Sequence, residues 1–467
     1  MRGVVPRVFT PPRGILASAV KNQLLRVPPT TVSSLPNGFR IACEESEGEV
    51  ATVGVWIDTG SRYETPANNG VAHFLEHMNF KGTRSMTKHQ MECKFEEIGG
   101  HLNAYTARDR TSYYVKVFKE HVSEAVGTLA DILRNSKIPL ADLEHERSTI
   151  LEEMREVELL VDEVVMDNLH VAGYHDCALG LTILGPEENI SQRINRQMIL
   201  DFVSTHYTGP RMVLVGAGAV NHKELENLAM QHFGDLPSVS HKPKDMPKVY
   251  TGGQYSLWSK QLNTAHVAWA FETCGIASDD VFVLQVVQHL FGQLTNTNRV
   301  LMEHQRFRTT LCIKGGGSHL DPRVEHVNPF FTPYVDTGLL GIYIVGFPDG
   351  NNMKKHVQAT INAFIELSSH KLSEEELQLA KGNLKAALLL NVDGSTNIAE
   401  DIGRQMLHYG HRLSLYDYFQ KVDEVTAERV LEVLQKYFKP GNLTFSAVGP
   451  VHGTPSFDSM EHFGITF

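Results

Sequence analysis

The chain has no apolar run long enough to span a bilayer, few cysteines and no excess of positive charge, and each lack removes a class of function. A membrane-crossing helix needs about 18 or more apolar residues. The most apolar stretch, FFTPYVDTGLLGIYIVGF from Phe330, is broken by Thr332, Pro333 and Asp336. It reads as strand, turn and strand, so any membrane association is expected to run through partners. Five cysteines, at 43, 93, 177, 274 and 312, lie far apart and form no C-x-x-C pair. They imply neither a thiolate zinc site nor a disulfide framework, and a reducing compartment is expected. Lys and Arg number 43 against 54 Asp and Glu, a net charge of −11. That balance argues against a nucleic-acid partner and suits a cationic one.

Acid is missing from the N-terminus. No Asp or Glu precedes Glu44, whereas Arg2, Arg7, Arg13, Lys21, Arg26 and Arg40 are present. RGILASAVKNQLLRV (13–27) can form a basic amphipathic helix. Residues 1–34 therefore read as a targeting-like segment of the mitochondrial kind, the alternative being a basic flexible arm.

At 467 residues and 42% hydrophobic content, the chain is expected to be globular with more than one domain. It contains an internal repeat. ILDFVSTHYTGPRMVLVGAGAV (199–220) aligns without a gap, 231 residues on, with VLEVLQKYFKPGNLTFSAVGPV (430–451). LADLEHERSTILEEM (140–154) aligns at 234 residues with EEELQLAKGNLKAAL (374–388), and ATVGVWIDTG near 51 has a counterpart in TAHVAWAFETCG near 264. Two similar halves are expected, 35–236 and 255–467, joined by a linker at 237–254 that is rich in Pro, Lys, Ser and Gly. In the first half a strand (51–58), helices (87–98, 120–135 and one from about 140) and a strand pair (101–118) alternate without a regular βαβ rhythm. This predicts an α+β fold, each half a mainly antiparallel sheet packed with helices.

What is present is VAHFLEHMNFKGT (71–83), in which His73, Glu76 and His77 stand at H-x-x-E-H spacing. On a helix, residues three and four apart share a face, so the two histidines can reach one metal ion, with Glu76 beside them to touch a water in its open position. Metal-assisted hydrolysis uses this arrangement. With 23 histidines in the chain, the motif needs a third ligand. The helix from 140 offers Glu144, Glu146, Glu152, Glu153, Glu156 and Glu158. Glu146 and Glu153, two turns apart, lie beside the apolar stripe of Leu143, Ile150, Leu151, Met154 and Val157. In the second half the aligned positions are Ala380 and Ala387, and LQVVQHLFG (284–292) keeps one His and no Glu. One half therefore carries the metal chemistry.

GVAHFLEHMNFKGT, GGHLNAYTARD, ERSTILEEMREVE, DEVVMDNLH with LGLTILGP, YVDTGLLGIY and LNVDGSTNIAEDIGRQMLHYG together resemble the pitrilysin-type (inverzincin) zinc peptidases. The likeness is greatest to the branch that holds the β subunits of the mitochondrial processing peptidase and the core subunits of the cytochrome bc1 complex (complex III). The resemblance implies one Zn2+ held by His73, His77 and Glu153, the family placing its third ligand 76 positions after the second His. It implies Glu76 as general base and Glu146 as a supporting acid. It implies an extended substrate along an edge strand at Asn103, Ala104 and Tyr105, an arginine received by Glu163 and Asp167, and contacts from Phe80 and Tyr334. Positions 141–167 hold ten acidic residues against two arginines, a field suited to a basic presequence. Partners implied are a noncatalytic α subunit (core subunit 2 in complex III), presequence peptides, cytochromes b and c1 and other complex III subunits. The implied location is the mitochondrial matrix or the matrix side of the inner membrane. KGGGSHLDPRVEHVNPFF (314–331) departs from the family pattern and reads as a surface loop.

Overall fold

The computed structural model describes residues 27–175, 177–239, 250–295, 323–348, 352–439 and 442–451. Most of the targeting-like segment, the centre of the expected linker and the glycines at 315–317 lie outside the described residues. The strands, in chain order, are β1 (Thr31–Ser34), β2 (Arg40–Glu45), β3 (Val50–Ile57), β4 (His101–Thr106), β5 (Thr111–Phe118), β6 (Met212–Gly218), β7 (Gly253–Trp258), β8 (Ala265–Cys274), β9 (Leu294–Thr295), β10 (Val324–Pro333), β11 (Thr337–Gly346) and β12 (Leu443–Gly449). They form two six-stranded sheets, ordered β1-β2-β6-β3-β5-β4 and β7-β12-β8-β11-β10-β9. Each sheet has one parallel pair, β2 with β6 and β7 with β12, and is otherwise antiparallel. The expected α+β architecture of two similar, mainly antiparallel halves is what the chain adopts.

The central strands explain the packing. In β3 (VATVGVWI) and β6 (MVLVGAG) nearly every residue is buried, the pattern of strands covered on both faces. On one face Ala51, Val53, Val55 and Ile57 join the core formed with helices of the same half. On the other, Trp56, Ala42, Val213 and Val215 pack against Ala399, Ile402 and Met406. Those three residues belong to the helix Ser395–Tyr409 of the second half. The exchange is reciprocal: Val165 and Leu169, on the first-half helix Val161–Gly173, pack against Ala268, Ala270, Leu339 and Val448 of the second sheet. Each half thus lends a helix to the back of the other's sheet, so neither sheet is covered without its neighbour.

Close approach has a local cause. A Cβ on Gly403 would lie 2.3 Å from the Trp56 ring. Only glycine lets the Ser395–Tyr409 helix sit this near β3.

One reading needs correction. Residues 324–331 are strand, paired with β11 along their length, and not surface loop. Val324, Val327 and Phe330 are buried there, and apolar side chains of this kind favour a covered pleat over a loop. Among the described residues, no helix is long and apolar enough to cross a membrane.

Candidate metal centre

The motif segment folds as the helix Val71–Asn79. It begins after Gly70, whose φ of 99° is left-handed and whose Cβ would meet Leu184 O at 2.7 Å, so glycine is required there. Gly70 has no side chain to cap the helix, and the cap arrives from upstream. Glu64 accepts from Gly70 N (2.8 Å), Ala72 N (2.7 Å) and Asn69 Nδ2 (2.7 Å). A carboxylate at a helix N-terminus satisfies donors that have no intrahelical partner. Burial nevertheless raises the Glu64 pKa to about 7 against these three donors.

His73 and His77 lie on one face of this helix, ring centroids 4.7 Å apart. The helix Leu140–Val157 packs beside it through Leu143 and Ile150, and this delivers Glu153 between the two rings. Glu153 Oε1 is 3.5 Å from His73 Nε2, and Oε2 is 3.1 Å from His77 Nε2. One donor atom from each of the three residues falls within 4.8 Å of the others.

Glu146, two turns earlier, is 4% exposed. Its Oε2 is 3.0 Å from His77 Nδ1 and its Oε1 is 2.5 Å from Lys81 Nζ. Burial alone would raise the Glu146 pKa, but Lys81 and His77 outweigh it and the net shift is downward. A proton on Nδ1 of His77, shared with Glu146, leaves a lone pair on Nε2. That lone pair then faces a carboxylate oxygen at 3.1 Å with no hydrogen between them. Either a second proton on His77 or a cation resolves the conflict. Burial disfavours the charged ring, yet hydrogen bonds to Glu153 and Glu146 raise the His77 pKa overall. His73 and His77 in turn lower that of Glu153.

The donor set fits zinc. Two imidazoles and a carboxylate are the ligands of one class of catalytic zinc site, and bonds of about 2.0–2.1 Å in a tetrahedron imply donor–donor edges of about 3.3 Å. Glu153 turns one oxygen to each ring, Oε2 at 3.1 Å from His77 Nε2 and Oε1 at 3.5 Å from His73 Nε2, so its carboxylate is within reach of a cation held by both histidines. Three protein donors leave a fourth position for water or substrate. Glu76, half-buried in the same helix turn, accepts from Thr106 Oγ1 at 2.5 Å.

The remaining candidate residues are distributed as follows. β4, which carries Asn103, Ala104 and Tyr105, is the edge of its sheet and, among the described residues, pairs with β5 alone. Asn103 is exposed, with Nδ2 donating to Tyr114 OH at 3.2 Å and Oδ1 accepting from Ala104 N at 2.9 Å. The Tyr105 hydroxyl donates to Glu400 Oε1 at 2.6 Å and accepts from Arg110 Nε at 3.0 Å. Phe80 caps the motif helix and packs against the first-half core, 6.1 Å from the Tyr113 ring. Glu163 is exposed. Its pKa is raised by partial burial and by Asp162 and Asp167. Asp167 accepts from the buried Arg108 Nη2 at 2.7 Å, so an internal guanidinium already occupies part of it. Tyr334 is 6% exposed, and its hydroxyl donates to His170 Nε2 at 2.7 Å across the two halves.

Sequence reasoning did not single out Glu64, Lys81, Thr106 or Arg108. Lys81 stands four residues after His77 and could have been found by helical spacing. Thr106 ends the strand already selected. Glu64 caps from a loop, and no spacing rule announces that.

Residues 40–187 match the model described as Insulinase (Peptidase family M16), and residues 193–384 match Peptidase M16 inactive domain. The second description suits a half with Ala380 and Ala387 at the positions of Glu146 and Glu153. Ubiquinol-cytochrome-c reductase complex core protein I, mitochondrial, of Euglena gracilis is 44% identical, over 88% of this chain and 86% of that protein. Mitochondrial-processing peptidase subunit beta of Bos taurus is 42% identical over 95% of this chain and 89% of its own. That of Blastocladiella emersonii is 41% identical over 95% and 94%. A chain of the solved structure "Complex III2 from Candida albicans, Inz-5 bound" shares the fold at a TM-score of 0.79 and 19% identity, over 93% of this chain and 99% of that one. The pitrilysin-type resemblance is thereby borne out: the chain belongs to the M16, or insulinase, family of peptidases.

Proposed function

We propose that the chain is a zinc metalloendopeptidase that removes N-terminal presequences from proteins imported into mitochondria, working as the catalytic β-type subunit beside a noncatalytic α subunit. The observation that carries this is the complete donor set, with His73, His77 and Glu153 converging within 4.8 Å and Glu146 orienting His77.

Zinc held by those three residues would polarise the scissile carbonyl and make water acidic enough to attack near neutral pH. Glu76 takes the proton from the attacking water and returns it to the leaving amine. Glu146 keeps the proton of His77 on Nδ1, so that Nε2 presents its lone pair, and Lys81 keeps Glu146 ionised. The substrate lies in extended form on the free edge of β4, where Asn103, Ala104 and Tyr105 supply backbone pairing, and Phe80 stands beside the residue after the cut. Glu163, with Asp167, receives an arginine of the presequence through charge-assisted hydrogen bonds. Exposed Glu152, Glu156, Glu158 and Asp162 extend the acidic field, which draws a basic peptide toward the site.

A second reading has its own support, since one relative at 44% identity is named as a complex III core protein. In that role the chain pairs with core subunit 2 and sits with cytochromes b and c1 on the matrix side of the inner membrane. The two roles are compatible in one polypeptide.

The test is cleavage of an arginine-containing presequence peptide by the chain copurified with its natural partner. Wild type, a chelated sample and Glu76→Gln are compared. Activity lost in the latter two, with the complex intact, supports the peptidase. A wild-type complex that holds zinc and its partner and still cleaves nothing refutes it, and leaves the core-subunit role.

A further inference from the structure

The second half, which lacks metal ligands, reaches the substrate strand through one side chain. Glu400 lies on the helix Ser395–Tyr409, one turn before Gly403, where the missing Cβ allows contact with Trp56. Its Oε2 accepts from Trp56 Nε1 at 2.9 Å, and its Oε1 accepts from Tyr105 OH at 2.6 Å. Arg110 closes the group, its Nε 3.0 Å from the Tyr105 hydroxyl and 3.6 Å from Glu400 Oε1.

Tyr105 and Thr106 are neighbours in β4, so their side chains leave the strand on opposite sides. Tyr105 goes to the second-half helix and Thr106 goes to Glu76, which it holds at 2.5 Å. Resting on the peptidase reading above, we propose that Glu400 and Thr106 are positioning residues forming a clamp. Glu400 fixes β4 from behind through Tyr105, and the fixed strand sets Glu76 through Thr106. Substrate strand and general base are then held in one register by the half that carries no ligands. An edge strand has a single partner and is free to move away from it; here a side chain from the opposite half restrains it.

A contact that only stabilises the fold would move melting temperature and leave the kinetic constants together. The clamp predicts a division. In the chain copurified with its partner, Thr106→Val lowers kcat about ten- to a hundredfold, the range for a small misplacement of a reacting group, while zinc content and KM stay at wild-type values. Thr106→Ser, which keeps the hydroxyl, restores kcat. Glu400→Ala weakens binding of a presequence peptide to the metal-free complex, measured by fluorescence anisotropy, and speeds amide exchange at 101–106. Glu400→Gln keeps an acceptor for Tyr105 and recovers most of both. Tyr105→Phe, which removes the bond to Glu400 and the one from Arg110 while leaving Trp56 its acceptor, speeds the same exchange.

The proposal is overturned if Thr106→Val keeps wild-type kcat, or if Glu400→Ala leaves exchange at 101–106 and peptide affinity unchanged. A wild-type complex that holds zinc without cleaving refutes the peptidase reading alone. Exchange and affinity in the Glu400 variants then still decide whether the strand is clamped.

Discussion

Replacing Glu146 should weaken zinc binding although Glu146 is not among the three donors. Its Oε2 lies 3.0 Å from His77 Nδ1, and its other oxygen is 2.5 Å from Lys81 Nζ. With 4% of its surface exposed, water cannot stand in for it. In Glu146→Gln an oxygen can still accept from Nδ1, so the tautomer of His77 survives. The negative charge that makes the ring a better donor is lost, however, and the Lys81 ammonium is left beside the site without its counter-charge. In Glu146→Ala the orientation is lost as well. Losing an outer partner of a metal-bound histidine costs about 10- to 100-fold in affinity, or about 1.4–2.8 kcal/mol. Glutamine belongs at the low end of that range and alanine at the high end. The assay is competition for zinc against a chelator of known affinity at fixed pH, with circular dichroism to establish that the variants are folded. A folded Glu146→Ala that binds zinc as tightly as wild type would refute the reasoning, because orientation and charge would then both be irrelevant at His77.

The other predictions concern charge and packing. Burial opposes ionisation of Asp109, but His408 and Arg110 hold its pKa at about 2, below the usual value of about 3.9. The stabilisation is therefore full above about pH 4 and lost as pH falls through about 2, a contribution of about 2.5 kcal/mol. Denaturant titrations should show Asp109→Asn less stable than wild type at pH 7, with the gap closing toward pH 3; a gap independent of pH would count against it. Glu163→Gln should weaken binding of an arginine-containing peptide about tenfold without changing melting temperature, whereas Asp167→Asn should also destabilise the protein by leaving the Arg108 charge buried and unpaired. Equal melting temperatures for the two variants would contradict the internal pairing of Asp167. Gly403→Ala should cost about 1–3 kcal/mol, since a Cβ 2.3 Å from the Trp56 ring forces the helix off the sheet, and an unchanged melting temperature would show that helix to be loosely seated.

Local chemistry was legible in the sequence, and tertiary contact mostly was not. The helix Val71–Asn79 and the strands β3, β4 and β5 follow from local sequence, β3 as a short continuous apolar run and the others from residue type and spacing within the segment itself. The repeat disclosed the second sheet, and its offset of 234 residues relates the exchanged helices that begin at Val161 and Ser395. The residues alone left Glu146 and Glu153 as alternatives for the third ligand. The structure assigns them different neighbours: Glu153 meets both histidines at Nε2 and Glu146 meets Nδ1 of one. Helical face narrows a choice to a stripe, and only the packing of a second helix says which turn of that stripe meets which atom. Arg108 on Asp167 and Glu400 on Tyr105 join residues 59 and 295 positions apart. No pattern within either segment encodes such pairs.

The persistence of the second half follows from the same geometry. β3 and β6 are apolar on both faces, and one face is covered by Ala399, Ile402 and Met406. Without that helix the first sheet would expose Trp56, Val213 and Val215, a contiguous apolar surface of the kind that folded proteins bury against a partner. A half without metal ligands is released from the chemical requirement at Ala380 and Ala387, although Ala380 is 1% exposed and packs in that half's own core. The same half cannot drift at Gly403, Ile402 or Met406, where the other half's sheet is seated. The loss of metal ligands and the retention of fold are thus separate constraints acting on different faces of the second half, and the polar contacts of Glu400 lie on the face that is constrained.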